Sequence, residues 1–253
     1  MSLPTWTPAA LSSSARPYSG AAWRLVEAQH RVSTLRLVET LAEQQLLEEI
    51  LDESKPVMPA ECQGLDYLLA TPFRYGAAYP HGSRFRRAGR TLGVFYAAEA
   101  VETAIAELAF YRVLFFAESP DTELPQGAAD YTAFSVALDA DRMVDLTMPP
   151  LSADETLWSE RVDYTACQAL ADAARSADVM MLRYRSVRDP ARGANLAVLD
   201  CSAFARPAPL TRQTWKIRIG PGRVQALCDF PTASLEFSIA DFAADPRLAG
   251  LRR

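Results

Sequence analysis

The stretch GVFYAAEAVETAIAELAFYRVLFF, Gly93 to Phe116, decides how the chain folds. Val94 to Tyr96 is a short run of β-forming residues. It leads straight into a segment where Val101, Ala104, Ile105, Leu108, Arg112 and Phe115 share one helical stripe. A strand that feeds a helix this closely predicts mixed α and β structure around one core. At ~100° per residue, Glu107 falls to the side of that stripe, on the boundary between core and surface, where a side chain can line a cleft.

Downstream, Phe134, Val136 and Leu138 alternate as a strand does, and Val144 with Leu146 continue it or pair with it. Ser159 to Ala177 reads as a helix, Val179 to Tyr184 as a buried strand that includes Met180 and Met181, and Leu196 to Leu199 as another short strand. Thr214 to Ile219, turned by Gly220-Pro221-Gly222, is expected to close an antiparallel pair with Leu235 to Ile239. Upstream, from Trp23 to Ser54, Leu25, Ala28, Val32, Leu35, Val38, Ala42, Leu46 and Ile50 recur at helical spacing until Pro56 and Pro59 stop the pattern. Residues 1–22, broken by Pro4, Pro8 and Pro17, read as a flexible leader. The fold class is therefore α+β: residues 23–66 form an N-terminal helical extension, and residues 67–253 form one compact domain with a mixed β core flanked by helices.

Charge is unevenly distributed. The 253 residues carry 26 Lys plus Arg against 31 Asp plus Glu, a net −5. Glu27 to Glu61 holds eight acids and three bases, which reads as a solvated helix face or a docking surface for a helical or basic partner. Thr71 to Gly93 has five arginines (Arg74, Arg84, Arg86, Arg87, Arg90) and no acid, so a cationic, glycine-containing loop suited to an anionic ligand is expected there. Arg206 to Arg223 is a second stretch of bases without acids. Arg188 and Arg192, around Pro190 and Gly193, read as a solvated turn in preference to an extension of a phosphate site.

The inventory also excludes chemistries. His30 and His81 are the only imidazoles, so a His-rich zinc site is ruled out and a Ser/His/Asp triad would need one of these two. Cys62, Cys167, Cys201 and Cys228 lie far apart with no CxxC, which predicts free buried thiols in a reducing, cytoplasmic compartment and no metal. No segment approaches the roughly 18 apolar residues that a membrane span requires.

Arg84, Tyr96 and Glu107 follow one another across the cationic loop, strand and helix. Arginine holds phosphate oxygens with a planar fork, tyrosine offers a stacking face and a hydroxyl, and a carboxylate can hold a ribose and stabilise an oxocarbenium-like transition state. These parts suit NAD+ as a substrate. Its nicotinamide is already cationic and leaves as a neutral base, so neither a general acid nor an imidazole is needed.

PFRY (72–75), GSRF (82–85), GVFYAAE (93–99), TAIAE (103–107) and YRSVRDPARGANLAVLD (184–200), in this order, resemble the RES domain family, the toxin half of bacterial toxin–antitoxin pairs. The likeness covers about Leu68 to Asp200. It implies a β core similar to ADP-ribosyltransferases, with NAD+ either degraded, as by a glycohydrolase or phosphorylase, or used to modify a target protein, and growth arrest as the result. It also implies a cognate antitoxin with a helix-turn-helix DNA-binding part that blocks the cleft, with room for an oligomeric complex and no direct contact with nucleic acid or membrane. Carried over residue by residue, Arg74 and Tyr75 match the first motif, Arg84 the second, Tyr96 the third, Glu107 the fourth and Ser186 the fifth. On this reading Arg74 and Arg84 hold the pyrophosphate and Tyr75 and Tyr96 stack and orient. Glu107 serves the ribose and transition state, and Ser186 bonds near the nicotinamide or its ribose. Arg86 stands where many members have asparagine, and the spacing from Arg84 to Tyr96 is longer than in the short members, so the functional arginine is Arg84 or Arg86. In typical ADP-ribosyltransferases the catalytic glutamate comes later in the chain. Two competing readings are a nucleic-acid-binding or RNA-cleaving protein that uses stretches 71–93 and 206–223, and a catalytically silent interaction partner; the net negative charge and the missing general-base histidine disfavour the first.

Overall fold

The computed structural model describes residues 6–28, 37–53, 58–74, 82–89 and 92–249. The chain enters through helix α1 (Pro8–Ser14) and strand β1 (Arg16–Glu27). Both depart from the expected leader and helical extension. Thr7 caps α1 by accepting from the Ala10 N–H at 3.3 Å, a proline follows the cap, Leu11 is fully buried, and Trp6 meets Trp158 edge-on at 5.8 Å. β1 then runs antiparallel to a long central strand, from Tyr18↔Ala140 to Glu27↔Tyr131. Ala22 is buried on one face while Trp23 and Leu25 pack on the other. A strand covered on both faces loses its period of two, which is why Trp23 to Glu27 could be read as helix.

Helix α2 (Leu41–Glu53) is present as expected, with Leu41, Leu46 and Ile50 exposed among acids. A single helical turn, Ala60–Cys62, precedes helix α3 (Tyr67–Arg74). Here another expectation fails: Cys62 and Cys201 form a disulfide across 139 residues, while Cys167 and Cys228 stay free and buried. Sequence spacing carried no sign of this pairing, because the two positions meet only through the sheet.

Strand β2 (Phe95–Ala98) and helix α4 (Val101–Glu118) realise the deciding segment. The buried face of α4 is wider than the expected stripe. Ala106, Ala109, Phe110, Val113 and Phe116 are buried with Ile105, whereas Phe115 is 48% exposed. Strand β3 (Ala129–Asp145) joins the two expected pieces into one. After the short helix α5 (Glu155–Trp158), helix α6 (Thr165–Ser176) fills the region read as a helix from its second turn onward, residues 159–164 forming no helix. Strands β4 (Met181–Arg185) and β5 (Ala194–Val198) follow, then β6 (Thr211–Gly220), β7 (Arg223–Cys228) and β8 (Ala233–Ser238). The Gly-Pro-Gly turn thus joins β6 to β7, and β8 pairs with β7 rather than with β6.

The eight strands run in the order β1-β2-β5-β4-β3-β6-β7-β8, and β1 also pairs with β3, so the first five close a ring. Inside the ring lies a core of Phe95, Phe134, Val136, Leu138, Met181, Leu196 and Val198, plugged by α3 and Phe204. Side chains of opposite parity point outward into two further cores. α4 packs on β1, β6 and β7 in one, and α1 and α6 pack on β4 and β5 in the other. β1 meets β2 at Trp23↔Ala98, and an ionic network tightens this seam. Arg183 grips Glu99 with two bonds of 2.8 Å and reaches Asp145 at 3.2 Å, and Asp145 also takes Arg16 at 2.8 Å.

Candidate active site

The site lies between the two outer cores, where α4 passes over the ends of β4 and β5. Glu107, on the second turn of α4, is half-buried as its helical phase predicts. Ser186, the residue after β4, donates from Oγ to Glu107 Oε1 at 2.6 Å. Asn195 on β5 donates from Nδ2 to the same oxygen at 2.6 Å. Both donors are buried, Ser186 completely. Among the described residues none donates to Oε2, so two charge-assisted bonds pin one oxygen and leave the other without a donor from these residues.

The hydroxyl of Ser186 does double duty. It accepts the backbone N–H groups of Arg188 at 3.1 Å and Asp189 at 2.9 Å, so its own proton is directed at Glu107. Asp189, itself buried, ties this turn to α4. Its Oδ2 accepts from Thr103 Oγ1 at 2.8 Å and from the Gly193 N–H at 3.1 Å. Gly193 has to lack a side chain, since a Cβ there would sit 2.1 Å from Thr103 Oγ1.

Arg188 is not a solvated turn residue. It is 4% exposed, pairs through Nη1 with Asp245, donates through Nη2 to the Arg161 carbonyl at 2.6 Å, and lies 4.1 Å from the Phe110 ring centroid. Its burial follows from the C-terminal turn, which supplies Asp245 as counter-ion. Arg192, by contrast, is exposed and meets Glu155 at 2.7 Å.

Arg84 is presented by a tight turn in which Ser83 and Arg86 form an antiparallel bridge. Gly82, at φ +64°, permits this turn; a Cβ would stand 2.5 Å from the Arg86 carbonyl. Tyr96 on β2 secures it from below, its hydroxyl 2.8 Å from Ser83 Oγ and accepting the Phe85 N–H at 2.9 Å. Gln168 of α6 donates to the carbonyls of Ser83 and Arg86 at 3.1 and 3.2 Å. Arg84, 8% exposed, points inward, where Nη1 donates to the carbonyls of Trp158 and Glu160 at 2.5 and 2.8 Å and the guanidinium faces the Tyr164 ring at 4.8 Å. Burial works against its charge, but Cys167, Tyr184, Tyr164 and Glu107 more than offset this and hold its pKa above the ordinary value. Burial raises the Tyr96 phenol, and raises Tyr184 further with help from Glu107.

Four of the sequence-predicted residues thus fall into one neighbourhood: Glu107 bonded to Ser186, and Arg84 held by Tyr96 within electrostatic reach of Glu107. Arg74 ends α3, half-buried, and Tyr75 lies outside the described residues, as do His30 and His81. Arg86 is only partly buried, and Arg87 pairs with Asp172 on the surface at 2.6 Å. In the second basic stretch, Arg212, Lys216 and Arg223 meet Asp66, Asp130 and Glu236. A cavity of about 650 Å³ opens beside the Ser186 turn, lined by Arg161, Ser186, Asp189 and Asp241 among others. Among the described residues there is no group of three or more His, Cys, Asp or Glu that could hold a metal, and no helix long and apolar enough to cross a membrane.

A protein-family model described as RES domain matches residues 58–219, well over half of the chain. The chain belongs to the RES domain family. No curated protein matches it. Among solved structures, this RES domain protein is similar to a chain in the crystal structure of the M. tuberculosis MbcT–MbcA toxin–antitoxin complex, with 14% identity, 93% of this chain and 96% of that chain covered, and a TM-score of 0.43.

The RES domain site also contains residues that sequence reasoning passed over. Asn195 stands in the quoted motif GANLAVLD, and the signal was an amide at the head of an otherwise apolar strand, which needs a partner when buried. Thr103, Tyr164 and Asp189 carried no comparable mark, because their roles arise from contacts across the fold.

Proposed function

We propose that this RES domain protein is a toxin that cleaves the nicotinamide–ribose bond of NAD+. The observation that carries the reading is the Glu107 carboxylate, fixed at Oε1 by Ser186 and Asn195 and within electrostatic reach of the buried Arg84 cation, whose guanidinium faces the Tyr164 ring. Oε2 accepts a ribose hydroxyl, and the carboxylate stabilises the positive charge that develops at the anomeric carbon as the bond breaks. The C–N electron pair leaves with nicotinamide, which departs neutral. The anomeric carbon is then captured by water, phosphate or a side chain of a target protein, which gives up its proton.

Arg74 and Tyr75, from the first motif, engage the pyrophosphate and an aromatic ring. Arg84 adds fixed charge, and Tyr96 acts by holding its turn. Ser186, being fully buried, acts through Glu107 as a positioning residue. In this reading a cognate antitoxin covers the cleft and no metal takes part.

Incubation of purified protein with NAD+ should release nicotinamide, and Glu107→Gln should reduce the rate by ~100-fold or more while the thermal transition persists. Absence of release by the free wild-type protein, with water, phosphate or protein acceptors supplied, would overturn the proposal. Product analysis across those acceptors separates hydrolysis, phosphorolysis and transfer.

A further inference from the structure

We infer that Asp245, in the C-terminal segment beyond the family-matched residues, is a positioning residue for the Glu107 carboxylate; its expected effect on turnover rests on the NAD+ reading above. Asp245 is 1% exposed and sits between two guanidinium groups. Its Oδ2 accepts from Arg188 Nη1, and Arg247 bonds it at 3.0 Å through both Nε and Nη2. Both arginines also lie against the Phe110 ring, at 4.1 and 5.4 Å from its centroid. Phe110 is one helical turn along α4 from Glu107, so the cluster joins the C-terminal turn, the catalytic helix and the Ser186 loop at one point.

The coupling to the site is covalent and short. The Arg188 side chain is clamped by Asp245 and the Arg161 carbonyl, and its own backbone N–H is one of the two donors that orient Ser186 Oγ toward Glu107. Arg188 Nη2 also approaches the Tyr164 hydroxyl at 3.4 Å, and the Tyr164 ring is the one that Arg84 faces. Without the Asp245 charge, Arg188 is a buried cation without its carboxylate, and it relieves this by moving toward solvent and drawing the 186–189 turn with it.

The test is Asp245→Asn in the full chain, with two readouts. Hydrogen exchange followed by mass spectrometry should show faster exchange at the Arg188 and Asp189 amides in protein that retains its folded circular dichroism. Nicotinamide release should lose ~10–100-fold in kcat with little change in KM, as expected for a displaced reacting group. If Asp245→Asn does not fold, Arg188→Lys answers the same question, since it keeps the charge but cannot reach Asp245 and the Arg161 carbonyl together. Unchanged exchange at both amides in the folded variant would overturn the inference, as would a lowered melting temperature with kcat intact. Wild-type protein that fails to release nicotinamide would instead count against the NAD+ reading, and the exchange data would still decide whether Asp245 holds the turn.

Discussion

Replacing Asn195 by Asp is the sharpest probe of the carboxylate cradle, because it keeps shape and volume and reverses one contact. The Nδ2 donor 2.6 Å from Glu107 Oε1 becomes an oxygen, so two carboxylates face each other in a largely buried place. At an effective dielectric constant near 20, two unit charges ~2.6 Å apart repel by roughly 6 kcal/mol. Protonating one of them is cheaper. From a usual glutamate value near 4.3 up to neutral pH, at ~1.36 kcal/mol per unit, this costs about 4 kcal/mol and restores a shared hydrogen bond. The variant should therefore lose about 4 kcal/mol at neutral pH. The pair's folded-state proton affinity is raised above its unfolded value, so its stability is retained below the ordinary carboxylate range and lost as pH rises. For a domain of this size the deficit corresponds to a melting temperature lower by ~10 °C at neutral pH. Thermal scans of variant and wild type across acid to neutral pH should show the two curves converging near pH 4. A variant as stable as wild type at neutral pH, or a deficit that does not shrink on acidification, would refute the contact between Asn195 and Glu107.

Gly193→Ala places a methyl 2.1 Å from Thr103 Oγ1, and overpacking of this kind should cost ~1–3 kcal/mol in a denaturation titration while loosening the Ser186 turn. Reduction of the Cys62–Cys201 disulfide opens a loop of 139 residues, and in the chain-entropy model it should lower stability by up to about 5 kcal/mol, read as a fall in melting temperature with added thiol. Burial holds the phenols of Tyr96 and Tyr184 above their ordinary value and Tyr18, also facing Glu99, at about 12. Their contribution is complete below a pH of about 10 and lost as pH rises beyond it, so alkaline unfolding should coincide with phenolate absorbance. Tyr96→Phe should remove part of that alkaline dependence and cost ~1–3 kcal/mol at neutral pH by stranding the Phe85 N–H.

The sequence by itself determined the α+β class, the strand-to-helix unit at Phe95 to Glu118, the half-buried phase of Glu107 and the family, because each of these rests on local periodicity or on short motifs in order. It failed where a local pattern has two physical solutions. Trp23 to Glu27 reads as helix yet forms a strand, because a strand packed on both faces shows no alternation. The Arg188 turn reads as solvated because nothing near it in the chain announces Asp245, 57 residues on. Only tertiary structure decided that the sheet closes between β1 and β2, that Cys62 reaches Cys201, and that Ser186 and Asn195 meet on one oxygen of Glu107. The reason is physical: a polar side chain acquires its role from the partner that burial forces on it, and that partner is chosen by the packing of distant segments.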